Sequence, residues 1–585
     1  MNMKTQAIIF RRGQAGSALI FVMIMSGVAL AILASVMAWS ASSAKLTHRS
    51  IQYTRSVAAA EAATEKVVTQ MTHDFLYGGA KLVSDNLNNY RLNTVPTAAD
   101  SSYWLNWQFN DANGNIGQTY IIATNANQYV VLDSKYAGLK GFVTTYIVVS
   151  HASDKLSIQD VTGGVYQELQ LTGIPIFQFA MYSAGNMEIS CGQPFDVTGR
   201  VHANQTLYVE PDSDLTFESG VTAVLAILNQ RDPLDTRGSP AGSVLYESTH
   251  TAPVAALTLP IGTTNTPEMI REIIEPPPPG EDATTPLGRL RYYNECDMVV
   301  TVTDTGVSAT SGSFNSFTTQ ILSNDLALFI STNATFYDAR EGKTVLPVDI
   351  DITNLTTWSE TNGTLRYALG LTAPQNLQSS IYVVDTRTVP AGSLAAVRVK
   401  NGTVLGTNGL TVATGHPLYV QGDYNQYNPT NLGTSNTSTT RPASLVADAI
   451  TILSDGWKDA NSKATVDGRN AQSTTVNAAL LTGVVETTSG HYSGGMENFP
   501  RFLETWGAAN IFTYNGSMVK MFPSLYATGA WGQANVYVPP KRNWAYDVNF
   551  DDPTKLPPKT PSLLTVLRSR WSTALPNQNV AAATQ

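Results

Sequence analysis

The chain is predicted to be a mainly β protein with a long N-terminal α-helix: a membrane-spanning helix, a β-rich head, and segments of parallel β-solenoid character within that head. Three observations predict this. Residues 13–44 carry no charged side chain, and the apolar run Ala18–Trp39 follows Lys4, Arg11 and Arg12 with no acid before it. About 20 such residues in a helix cross the hydrocarbon core of a bilayer. No Gly or Pro occurs between Val28 and Tyr77, so the helix is expected to outrun the membrane. The rest of the 585-residue chain, with only 14% charged residues overall, is rich in Thr, Asn, Ser and Gly and reads as short strands with polar turns.

Retention of Lys and Arg on the cytoplasmic side places the N-terminus inside and the bulk of the chain outside. Beyond the span, Tyr53, Val57, Ala60, Thr64, Val68, Met71 and Phe75 recur at three or four residues and mark one apolar helix face. Gly78-Gly79 supplies the stop. An unbroken helix over 18–77 would be a rod of roughly 90 Å.

Three kinds of N-terminus share such an apolar run. A secretory signal would be cut after a small-residue site, for which Ser40 to Ala44 offer a target, and a plain single-pass anchor needs nothing further. The third kind rests on residues. The run opens at Gly16-Ser17-Ala18-Leu19 behind the basic leader MNMKTQAIIFRRGQA. This resembles the class III signals of type IV prepilins and pseudopilins, in particular the PilX-like and GspK-like minor subunits. The resemblance implies that a prepilin peptidase cuts between Gly16 and Ser17, with Gly13 the weaker alternative. It also implies that Ser17 becomes a methylated N-terminus and that the helix packs among other pilin or pseudopilin subunits. The phrases GRVHAN (199–204), FYDAREGKTVLPVDIDITNL (336–355), PLYVQGDYN (417–425) and ADAITILSDGW (447–457) are similar to segments of large PilX-like envelope proteins. One position departs from the pattern. Most pilins carry Glu at the fifth mature position, where this chain has Phe21. Without that carboxylate the chain is a poor repeating subunit, as in tip-located members of the family.

The organisation along the chain follows from composition. Residues 1–16 form the leader, 17–44 the transmembrane helix and 45–79 its amphipathic continuation. Residues 80–180, with alternating strands such as GFVTTYIVVSHA, read as an α+β, antiparallel head region packed on the helix. The turn Asn110–Asn115 has too few acids for a calcium loop and reads as an Asn-Gly turn. Very short strands at close spacing mark 181–270 and again 397–480 as β-solenoid-like, although a β-sandwich fits the same spacing. Between them lie a Pro-rich spacer, 271–290, around Pro276–Pro279, and an inserted β-rich region, 291–396. An aromatic-rich C-terminal cap covers 481–574, with LLTVLRSRW expected as a short helix, and a disordered tail covers 575–585.

Candidate chemistry is sparse. A net charge of −9 without basic clusters argues against a nucleic-acid partner. Cys191 and Cys296 fit an oxidising compartment, either as one disulfide or as two separate buried thiols. None of the seven His falls in a metal-binding spacing, and His202 and His416 read as packing or turn residues. Asp349 and Asp351 share one face of a strand, and Asp551-Asp552 form a second acid pair, but a solvated face explains such pairs more simply than a glycosidase site. Phe499, Phe502, Trp506, Trp531, Trp544 and Tyr546 read as core or cap packing ahead of a sugar-stacking surface. Arg501 with Glu504, and Arg542 with Asp547, are expected as local ion pairs. No catalytic, cofactor-binding or metal-ligating set is identified. The resemblance implies a non-enzymatic pilin-like assembly subunit of a type IV pilus or type II secretion pseudopilus, at the tip. The alternative is a membrane-anchored β-solenoid adhesin or a carbohydrate-binding, or else carbohydrate-active, envelope protein. The partners expected are a prepilin peptidase, other pilin subunits, the inner membrane and a glycan or protein ligand of a periplasmic head.

Overall fold

The structure, a computed structural model, describes residues 17–132, 136, 138–157, 160–238, 240–314, 316–362, 379–532 and 535–575. The leader with Gly16, and residues 576–585 of the expected tail, lie outside the described residues.

Helix α1 (Ser17–Asp85) is the predicted rod. Gly79 breaks it at φ 72°, ψ −169°, where the paired glycines were expected to stop it, and a short helical piece then runs on to Asp85. Helix α2 (Leu87–Asn93) follows. The predicted face is buried at Ala60, Thr64, Val68, Met71 and Phe75, while Tyr53 stays 40% exposed below the head.

That face lies on an antiparallel sheet. Strands β1 (Trp107–Asn110) and β2 (Tyr120–Val131) share one edge of β3 (Lys140–Asp154), which pairs with β4 (Thr162–Pro175). Val67, Val68, Met71 and Phe75 of α1 pack with Tyr146, Val148, Leu169 and Leu171 of the sheet. Closer to the N-terminus of α1, Ala59, Ala60 and Ala63 pack with Trp107, Phe109, Ala152 and Val165. Small residues let the backbones approach there, and a Cβ on Gly163 would collide with the backbone of Ser56 and Val57.

The last strand corrects the expected C-terminal helix. Ser562–Ala574 is a strand, antiparallel to β4, with Leu563 facing Ile174 and Val566 facing Leu171. Leu564 and Val566 join the α1 cluster, whereas Leu563 and Leu567 join the cluster on the opposite side. Alternation across a strand places them so, and pairing with β4 outweighs the local helix propensity. Everything from residue 176 to 561 is thus inserted between two neighbouring strands of one sheet.

The insertion is a parallel β-solenoid. One ladder runs through strands Met298–Thr303, Ser380–Asp385, Leu410–Thr414, Ala443–Ala447, Thr474–Val484 and Thr505–Pro523. It continues, still parallel, through Met181–Ser183, Val201–Ala203, Val221–Ala223 and His250–Thr251. A second ladder runs Lys343–Asp351, Ser393–Gly402, Leu418–Tyr424, Ile450–Leu453 and Arg501–Phe502. These pairings wind around a filled core of Val, Ile, Leu and aromatic side chains from both blocks, and they do not enclose a barrel.

Two expectations about organisation change. The solenoid-like segments, read as separate, form one stack in which the N-terminal coils sit on the last C-terminal coil, Met181 lying beside Met518. The Pro-rich region does not act as a free spacer. Residues 252–297 return along the outside of the first ladder, burying Leu257, Leu259, Ile270, Ile273, Ile274 and Tyr292 against it. Tyr182 Oη donates to the Leu257 carbonyl, Arg271 pairs with Asp448 at 2.7 Å, and Tyr382 Oη donates to the Ile274 carbonyl. The strap therefore carries the chain from one end of the stack to the other. Arg291, buried, binds Glu281 and Glu272 on either side of the exposed prolines and closes them into a loop.

Candidate functional site

The feature that stands apart from the rest of the molecule is the first half of α1. Its apolar window has none of its length buried and is the one described helix long and apolar enough to cross a membrane. Leu19, Phe21, Met37 and Trp39 are each at least 65% exposed. Ala18–Trp39 spans about 33 Å at 1.5 Å per residue, close to the thickness of the hydrocarbon core.

Exposed apolar residues continue past that length. Leu46 is 69% exposed and Ile51 55%, before the head takes hold at Ser56, whose Oγ donates to the Val161 carbonyl at 3.0 Å. Lys45, His48 and Arg49 share this neck and are exposed.

The head grips the upper half of α1 at its far end through a polar knot. Asp74, buried, accepts from Tyr90 Oη at 2.6 Å, Asn86 Nδ2 at 2.8 Å and Gln70 Nε2 at 2.9 Å. Burial opposes its ionisation, but the hydrogen bonds from Tyr90, His73, Asn86 and Gln70 outweigh burial and hold the carboxyl below its usual range. Lys66 binds Asp100 at 2.7 Å, and Arg568 of the C-terminal strand binds Glu65 at 2.7 Å. The rod is thereby anchored to the sheet on several sides.

The other residues singled out from sequence fall as follows. Ser17 opens α1, and Phe21 stands on its uncovered part. Cys191 and Cys296 are both buried and unpaired, in separate clusters, one inside the N-terminal coils and one under the strap. Burial pushes the Cys191 thiol up to about 12 and the Cys296 thiol higher still. His202 is buried, with Nδ1 at 2.8 Å from Thr222 Oγ1, Nε2 at 3.0 Å from Asn204 Oδ1, and its ring stacked on Tyr182. Burial pulls it down to about 4, so it is a neutral core residue. His416 Nε2 lies 3.0 Å from the Asp385 carbonyl.

The acid pair is not a shared site, nor a solvated face. Asp349 is buried and bidentate to Arg398 at 2.7 and 2.8 Å, while Asp351 caps the helix Ile352–Thr361 through the Asn354 amide. Asp551 accepts from Tyr546 Oη and Asp552 caps the turn at Thr554. Phe499, Phe502, Trp506 and Trp544 are buried in the solenoid core, with Trp531 and Tyr546 half-buried at its edge. Neither expected local ion pair forms. Arg501 lies on a strand and reaches Glu341 at 2.9 Å, and Glu504 accepts the Ser454 amide and hydroxyl. Arg542 donates to Asn498 Oδ1 and Asp547 accepts from Thr437 Oγ1. In each case a segment remote in sequence supplies the partner, which sequence spacing cannot reveal.

Sequence reasoning passed over the buried carboxyls of the stack. Glu497 accepts from the Ser190 amide at 3.3 Å and from Tyr492 Oη at 2.9 Å, and Glu188 accepts from Thr487 Oγ1 at 2.8 Å. These bonds tie the N-terminal coils to the C-terminal block. Burial raises both carboxyls to about 7. The Ser190 and Thr487 partners lie some three hundred positions away, and no local motif signals them.

No protein-family model matches the chain, and no curated protein matches it. Among solved structures it is similar to the crystal structure of competence-associated pilin ComZ from Thermus thermophilus, at 11% identity and a TM-score of 0.28. That match covers 89% of this chain and 98% of ComZ.

Proposed function

We propose that the chain is a non-enzymatic, pilin-like assembly subunit of a type IV pilus or type II secretion pseudopilus, located at the filament tip. The observation that carries the reading is the division of α1: an uncovered apolar half joined without a break to a half buried on an antiparallel sheet. A simple anchor needs cover only across the bilayer. Here Leu46 and Ile51 remain exposed beyond it, and helices of neighbouring subunits in a filament would cover them. In this reading a prepilin peptidase removes residues 1–16, Ser17 becomes the N-terminus, and the helix waits in the inner membrane with the head in the periplasm. Phe21 in place of Glu removes the carboxylate that repeating subunits offer a neighbour, which supports a tip position over the filament shaft. The work is done by assembly, and the head displays the solenoid surface.

Mass spectrometry of the native N-terminus, in membrane and sheared-filament fractions, tests this. A chain beginning at Ser17, present in the sheared fraction, is the expected result. A chain retaining Met1, or one beginning near Lys45, would sink the proposal.

A further inference from the structure

At the seam between the two solenoid blocks a crevice opens among Glu188, Arg340, Ser493, Asn498, Arg501 and Lys520. Two of its three cations are matched by protein acceptors. Arg501 donates to Glu341 at 2.9 Å and to the Ala527 carbonyl at 2.8 Å. Lys520 donates to Glu486 at 2.8 Å and to the Asn186 carbonyl at 2.9 Å. The second oxygen of Glu341 is occupied by the Gly529 amide at 2.8 Å.

Arg340 is the cation left over. Its Nε donates to the Gly529 carbonyl at 3.0 Å, and its Nη edge meets no protein acceptor among the described residues. Burial, with Arg501 beside it, pulls its pKa down to about 9. Arg340 is half-buried, and Glu341 and Asp338 offset part of its charge without bonding the Nη edge. Its free edge is a planar two-pronged donor whose geometry matches an oxyanion. Ser493 Oγ already accepts from the Gly495 amide at 3.1 Å, so its own hydrogen is available to the crevice. The remaining carboxyl, Glu188, is raised to about 7 by burial and is mostly protonated at pH 6, so there it does not repel an anion. The space suits a single small ion.

We propose that this crevice binds one small oxyanion, either an inorganic ion such as sulfate or the carboxylate of a small acid, on the Nη edge of Arg340. The ion would be held between Arg340, Ser493 and the Lys520 side of the crevice. It would tie together segments near 188, 340, 493 and 520, which come from both blocks. This is independent of the assembly role proposed above.

Calorimetric titration of the full chain in detergent at pH 6 tests it, with sodium sulfate and sodium acetate in separate series and gluconate matching the ionic strength. One saturable site per chain is expected. Tighter sulfate binding assigns an inorganic ion, and tighter acetate binding a carboxylate. Arg340→Met should weaken binding at least tenfold, while Lys555→Met, at an exposed lysine bound to Asn549, should leave it unchanged. Absence of saturable binding by either anion, or binding that Arg340→Met leaves intact, overturns the proposal. Should Arg340→Met fail to fold, hydrogen exchange on the unaltered chain decides. Sulfate or acetate must slow exchange selectively in 340–343 and 484–501, and exchange unchanged there refutes the site.

Discussion

Buried carboxyls set the pH response of the head. Glu497 is fully enclosed, and burial raises it from 4.5 to about 7. A folded-state pKa above the unfolded value means that the folded chain holds the proton more tightly. The associated stability is complete below pH 4.5 and is lost as pH rises through 7. Glu497→Gln keeps an acceptor for the Ser190 amide and the Tyr492 hydroxyl and removes the ionisation. It should stabilise the chain by about 2–3 kcal/mol at pH 8 and by almost nothing at pH 4. Denaturant midpoints of both chains at the two pH values measure this, and an equal difference at both would contradict it.

At the scale of elements, the contact between α1 and the sheet depends on small residues. Gly163 of β4 touches the α1 backbone at Ser56 and Val57, and any Cβ there meets main-chain atoms that cannot rotate away. Gly163→Val should lift the lower part of the buried helix off the sheet, at a cost on the order of 3 kcal/mol. The expected readout is faster amide exchange over 56–68, with the knot around Asp74 retained. Unchanged exchange over 56–68 would mean that the helix is held from above alone.

The whole molecule couples parts of the chain that are far apart in sequence. The coils at 181–251 have no stack of their own to begin on, because their first ladder strand rests on Met518, Val519 and Lys520. Solenoid stability is a sum of such nearest-neighbour contacts. Val519 is fully buried between that ladder and the strap. Val519→Asp should raise amide exchange in 181–203 at least as much as in the preceding coil at 474–484. Exchange confined to the C-terminal coils would show that the N-terminal coils stand alone.

Much of this architecture is local information. The charge-free run to residue 44, the glycine-free stretch to Tyr77 and the periodic face from Ala60 to Phe75 determined the helix, its membrane-length segment and its buried side, because each depends on residues a few positions apart. The short strands between polar turns determined the solenoid character for the same reason, and the paired glycines determined the break at Gly79. Only the tertiary structure decided that the last strand completes the sheet under α1, and that the first coils follow the last ones in space. It alone decided that the Pro-rich stretch is a strap, and that Arg501, Glu504, Arg542 and Asp547 each find partners on segments remote in sequence. The junction of Met181 with Met518 joins residues hundreds of positions apart, and a contact of that kind leaves no local pattern in a single sequence.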